Sequence, residues 1–354
     1  MRVKKKNLIW VAVMAALLGW TVYTILKKQT PGQLAEAIAS ADWRVLLLGI
    51  PVMALFIGFE AKSTHWILRT LGSPQPFRKC YFYSCTGFFF SNITPSATGG
   101  QPAQIYYMNR DGVPVSAGTI DMLLITIGYH TAMVGYGILA LLTSHNLPER
   151  LGGRIGFLLG VGFMIFIVLN VAMILFLFLP NPARRLCRSV IRLAVRVRPS
   201  LDREALEEKL DGHMEQYRQG AVVIRQTPAL LPRVLLMSAG QLACTYAMPY
   251  VIYRAFGLSG AALWEVFALQ VLCTIAVGYL PLPGAAGAAE NVFLRGFAVI
   301  FGAGLVAPAM ILSRTLSCYL VLAVTGIITA VGHVHRHRRG GQAEQPEKQE
   351  DKAA

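Results

Sequence analysis

Residues 77–109 read FRKCYFYSCTGFFFSNITPSATGGQPAQIYYMN, an apolar stretch broken in its middle by Asn92-Ile-Thr-Pro-Ser-Ala-Thr-Gly-Gly-Gln-Pro102. Proline removes a backbone donor and glycine disfavours helix, so these residues cannot form one continuous helix. The arm from Phe77 to Ser91 reaches about 22 Å as a helix, short of the roughly 30 Å hydrocarbon core of a bilayer. A second region, 262–301, repeats the design around Pro281-Leu-Pro-Gly-Ala-Ala-Gly287. Both are read as helical hairpins that leave a membrane on the side they entered, because broken backbone at that depth is tolerated only against protein or a wet cavity. A kinked helix with an unusual loop is the alternative.

The rest of the chain supplies the membrane context. Of 354 residues, 55% are hydrophobic and 14% charged, with a mean hydropathy of +0.50. Soluble domains carry about 25% charged residues. Six segments have the length and apolarity of full spans: 8–26, 44–68, 115–143, 154–179, 229–255 and 304–333. The predicted fold is therefore an all-α integral membrane protein of about six full transmembrane helices plus two re-entrant hairpins. The stretch 8–26 follows the basic Met1–Lys6 and lacks a clear cleavage site, so it reads as a retained anchor.

Charge sets the orientation. The net charge is +15, and the segment 180–228 holds ten Lys or Arg against six acids. Basic segments favour the cytoplasmic side and anionic lipid there. The basic residues are not interleaved with aromatics in any nucleic-acid-binding motif, so nucleic acid is not an expected partner. Placing 180–228, Lys4–Lys6, Arg69/Arg78/Lys79 and Arg336/Arg338/Arg339 inside the cell requires both hairpins to be re-entrant, with opposite entry. A cell-membrane location with both termini cytoplasmic follows as the expectation. The polytopic domain is expected over 1–339, including an amphipathic helix at 200–219 and a shorter one at 31–42, with a disordered tail over 340–354.

Each hairpin returns as a helix whose start lies deep in the bilayer, where free N–H groups and the positive end of the dipole suit an anion such as a lipid phosphate. The candidate substrate-binding residues are Thr94, Ser96, Thr98, Gly99, Gly100, Gln101 and Gln104 in the first hairpin. In the second region they are Pro283, Gly284, Gly287 and Glu290, with Arg314 in the last span. An internally capped helix end explains the same residues equally well, and Glu290–Arg314 can be read as a structural ion pair. Intramembrane ionisable groups are costly and mark functional positions, so Glu60, Asp121 and His130 are candidates for ion or proton coupling. A packed, hydrogen-bonded histidine is the simpler reading of His130. Six cysteines without a C-x-x-C pair argue for free thiols. The trio His333, His335 and His337 reads as an interfacial basic segment. No metal, cofactor or nucleotide signature is present, and no nucleophilic triad.

The segments from Thr94 to Met108 and from Pro281 to Glu290 together resemble the lysylphosphatidylglycerol synthase transmembrane (flippase-like) family, over roughly residues 5 to 335. Pro283, Gly284, Gly287 and Glu290 match the family's second motif. Many relatives carry Glu after the glycines of the first motif, with Arg nearby, where this chain has Gln101 and Gln104. The resemblance implies a lipid translocase rather than an enzyme, because the chain lacks the soluble aminoacyl-transferase domain of two-part members. Expected partners are a membrane lipid with an anionic headgroup, anionic lipids at the basic loop, a separate lipid-modifying enzyme and a second copy of the chain. The alternative is a membrane-embedded transferase or lipid-binding subunit acting on a polyprenyl-linked lipid or a phospholipid.

Overall fold

The computed structural model of the chain describes residues 31–94, 97–144, 153–178, 218–280 and 287–343, with isolated positions at 189, 192 and 215. The described residues are helical, without a strand. In chain order the helices are α1 (Pro31–Ala39), α2 (Trp43–Leu47), α3 (Gly49–Thr70), α4 (Phe77–Ile93), α5 (Gly100–Arg110) and α6 (Val115–Thr143). They continue as α7 (Gly153–Phe178), α8 (Leu230–Ala255), α9 (Leu263–Val277), α10 (Ala288–Gly296), α11 (Ala298–Arg314) and α12 (Leu320–Ala343), the last two joined by a π-helical turn at Thr315–Tyr319.

Five helical stretches are long and apolar enough to cross a membrane: Trp43–Thr70, Val115–Thr143, Ile155–Leu175, Leu230–Ala255 and Ala298–Arg336. They match five of the six spans expected from sequence. The sixth, 8–26, lies outside the described residues, as does most of 180–228. Helix α12 runs to Ala343. One face of it turns outward, with Val324, Ile327, Val331 and Val334 exposed, as on α7, whose Phe157, Met164 and Val168 are exposed. An apolar outer face of this kind belongs in lipid, not water.

The two broken regions are antiparallel helix pairs whose bases sit at opposite ends of the bundle. The base of the α4–α5 pair is tied to the end of α12. Asp111 accepts a hydrogen bond from the Tyr83 hydroxyl, pairs with Arg336 at 2.9 Å and approaches Lys79 at 3.7 Å. The Tyr107 hydroxyl also meets His333 Nδ1 at 2.9 Å, and the Arg336 guanidinium lies 4.3 Å from the Phe82 ring centre, within cation–π range. The α9–α10 pair has its base at the other end. There Trp264 Nε1 donates to Thr143 Oγ1 at 2.8 Å, and the Ala261 N–H donates to the Tyr253 hydroxyl at 3.0 Å. Phe301 packs edge-on against Phe256 at that same end. Helix α6 starts beside the first base and ends beside the second, so it spans the distance between them.

Close backbone approach holds the first pair together. A Cβ on Gly100 would sit 2.8 Å from the Gly87 carbonyl oxygen and 2.0 Å from Ser91 Oγ, and one on Gly87 would meet Gln104 Nε2 at 2.0 Å. Only residues without a side chain let two short arms lie this close. In α11, Gly302 (φ 72°, ψ 167°) bends the helix before Pro308, so the rod leading to Arg314 is not straight.

Candidate functional site

The inner ends of both helix pairs border a cavity of about 600 Å³. Ala97 reaches it from the first pair, Gly278, Tyr279, Leu280, Ala289 and Glu290 from the second, and Ser313, Arg314 and Ser317 from the α11–α12 rod. Ile165, Phe166 and Leu169 of α7 form an apolar wall. Leu169 is 46% exposed, so that wall separates the cavity from the bundle's outer apolar face. The rest of the lining mixes apolar residues such as Val277, Phe293 and Met310 with polar ones. His130 Nδ1, Thr245 Oγ1 and Gln270 Oε1 are buried there without a hydrogen-bond partner. Buried polar atoms left unpaired cost about 1–3 kcal/mol each, a penalty that a bound polar group or ordered water relieves.

The strongest polar feature of the cavity is an ion pair. Arg314 Nε lies 2.9 Å from Glu290 Oε1, with side-chain exposures of 22% and 8%. The other carboxylate oxygen, Oε2, accepts the Gly287 N–H. Gly287 has φ +82°, a left-handed conformation that favours glycine, and it sets the start of α10 so that Glu290 can reach back. The π-helical turn begins at the residue after Arg314. Such insertions rotate the preceding residues relative to the following ones and recur at functional sites.

Both helix starts expected to receive a lipid phosphate are capped by the chain itself. At α10 the cap is Glu290. At α5 the Gly99 N–H donates to Thr94 Oγ1 at 2.9 Å, while the Thr94 hydroxyl donates to the Phe90 carbonyl at 2.6 Å. Gly99 and Gly100 pack against Thr94, Ser91 and Gly87 rather than opening onto the cavity. Gln101 Nε2 donates to Thr126 Oγ1 at 2.8 Å on α6, and Gln104 Nε2 donates to Glu60 Oε1 at 3.2 Å on α3. Thr98 has a partner of its own. Among the described candidates the cavity therefore unites Glu290, Arg314 and His130. Ser96, Pro283 and Gly284 lie outside the described residues.

Glu60 and Asp121 form a separate buried centre. Glu60 Oε2 also accepts from Gln241 Nε2 at 3.0 Å, so α3, α5 and α8 converge on one carboxylate. Asp121, on α6, is fully buried. His130 is nine residues further along α6, about 13 Å of helix rise away, and belongs to the cavity instead. Sequence reasoning passed over Gln241, Thr245 and Gln270. Their signal was present, since each is a hydrogen-bonding side chain inside an apolar span.

Comparison with known proteins places the chain among membrane proteins. The family model described as "Lysylphosphatidylglycerol synthase TM region" matches residues 7–325. The chain is similar to a UPF0104 membrane protein of Archaeoglobus fulgidus, 22% identical over 300 residues, covering 78% of this chain and 84% of that protein. It is similar to another UPF0104 membrane protein, from Methanothermobacter thermautotrophicus, 23% identical over 313 residues, covering 85% and 86%.

Proposed function

The chain belongs to the lysylphosphatidylglycerol synthase transmembrane family, and from that premise and the cavity's geometry we propose that it moves a lipid with an anionic headgroup across the cell membrane. The observation that carries the reading is the Glu290–Arg314 pair in a cavity bordered by two helix pairs whose bases lie at opposite ends of the bundle. Arg314 is the group that receives the phosphate. Glu290 gives up Arg314 as the phosphate arrives and keeps the Gly287 N–H, so neither carboxylate nor guanidinium is left bare. Acyl chains remain in the bilayer outside α7 while the headgroup passes inside, and the helix pairs act as re-entrant gates on either side. The basic end of the bundle, with Arg69, Arg78, Lys79, Arg110 and Arg336, faces the cytoplasm. Sites near the midplane between oppositely entering broken helices are the arrangement used by alternating-access carriers.

The test is reconstitution of the full chain into liposomes with a panel of headgroup-labelled lipids and no nucleotide. The expected result is movement of one headgroup class between leaflets, with the lipid recovered unchanged, and slower movement in Glu290→Gln. Recovery of a chemically altered lipid would favour the membrane-embedded transferase, and movement indifferent to both headgroup and Glu290 would remove the proposed role of the pair.

A further inference from the structure

Glu60 and Asp121, with Thr64, Ser84, Gln104 and Gln241, make a set of six side chains from five helices, none of which carries a positive charge. Each oxygen of Glu60 accepts an amide N–H, one from Gln104 and one from Gln241. Its charge is thereby compensated by donors. Asp121 is not so compensated. It is fully buried, neither of its oxygens meets a donor in good hydrogen-bond geometry, and the Thr64 hydroxyl is the donor beside it. Ser84 Oγ lies next to Glu60, and Gln104 Oε1 is a buried oxygen without a partner. The orientation of the Gln104 amide is fixed by Glu60, since its N–H must face the carboxylate, and this leaves its carbonyl oxygen toward the interior.

Of the basic groups of α3, Arg69 is exposed and Lys62 and His65 are engaged elsewhere. Lys62 lies 5.2 Å from the Trp66 ring centre, and His65 Nδ1 meets the Gln75 carbonyl at 2.8 Å. Among the described residues, Cys80 and Cys85 of α4 and Tyr129 of α6 also face the pair, all neutral at ordinary pH. A buried carboxyl grouped with hydroxyl, carboxylate and amide oxygens is a hard-oxygen environment that a single small positive charge satisfies.

We infer that Asp121, with Thr64, Ser84, Gln104 and Glu60, binds one exchangeable monovalent cation, a sodium ion or a proton. Gln104 belongs to α5, the arm of the first helix pair that returns from the cavity. The occupant therefore draws α5 toward α3 and α6, and its loss slackens that arm. The link from cation to arm movement to lipid movement rests on the translocation reading. The cation site does not.

The experiment is infrared difference spectroscopy on the purified full chain in detergent. Sodium is added against a choline background, and pH is then varied without sodium. Wild type alone carries the primary reading, and Asp121→Asn assigns the bands. A carboxylate band that shifts on sodium addition and vanishes in Asp121→Asn supports a sodium site. In that case Thr64→Val, which removes one neutral oxygen and no charge, raises the half-saturating sodium concentration several-fold. A band indifferent to sodium that converts between carboxylate and carboxylic acid with pH, and vanishes in Asp121→Asn, supports a proton site. If neither sodium nor pH moves any band that Asp121→Asn removes, Asp121 is a permanently neutral packing group and the inference is overturned. That outcome leaves the liposome result untouched, just as failed lipid movement leaves the spectra untouched.

Discussion

Arg314→Ala is expected to lower stability by about 3 kcal/mol, the cost of stranding one member of a buried ion pair, and to slow lipid movement by about 30-fold or more. The two effects have different origins. Stability falls because Glu290, with 8% side-chain exposure, loses the guanidinium and keeps the Gly287 N–H. Movement falls because the cavity loses the guanidinium that recognises phosphate, and a charge-assisted hydrogen bond of about 2 kcal/mol corresponds to about 30-fold in rate. The double variant Arg314→Ala/Glu290→Gln separates the two, since removing both charges leaves no bare carboxylate. Thermal unfolding in detergent is expected to recover most of the lost stability in the double variant, while the liposome assay stays slow. Recovery of both would make the pair a packing device only.

Gly100→Leu is expected to be at least as damaging to stability, by about 3 kcal/mol, at the upper end of the range for overpacked cores. The Ser91 hydroxyl can rotate away from a new Cβ, but the Gly87 carbonyl 2.8 Å away is backbone. The α4 and α5 arms must therefore separate, which loosens the Gln104–Glu60 contact one turn further along. Gly160→Ala on α7 is the matched control, because nothing lies within 4 Å of its Cβ position. It is expected to be neutral or stabilising by about 0.5–1 kcal/mol, the helix-interior gain over glycine. Unfolding midpoints of the two variants in the same detergent check the contrast.

The architecture was readable where the physics is one-dimensional. Apolar length gave the spans at 44–68, 115–143, 154–179 and 229–255 to within a few residues, and Pro/Gly breaks located both helix pairs. What could not be read was which surface each glycine faces. Gly100 looks the same in a chain whether it makes room for a phosphate or for Gly87, and the answer depends on Ser91 and Gly87 folding back against it. The caps were ambiguous for the same reason. Thr94 and Glu290 satisfy helix starts that composition alone leaves open to a ligand. Glu60 was visible as a costly intramembrane carboxylate, but its partner Gln241 is 181 residues away, and a lone glutamine in an apolar span carries no periodic mark. Asp121 and His130 share α6 and looked equivalent, and only packing assigns one to the buried carboxylate centre and the other to the cavity.

The most direct test of the central claim, that the cavity between the two helix pairs holds a lipid headgroup, is native mass spectrometry of the full chain in mild detergent. Wild type is compared with Thr274→Phe, which places a ring inside the cavity that Thr274 lines, and with the double variant Arg314→Ala/Glu290→Gln. One lipid class retained by wild type and lost from both variants is the predicted result. Equal retention by all three proteins, without preference for a headgroup, would contradict it.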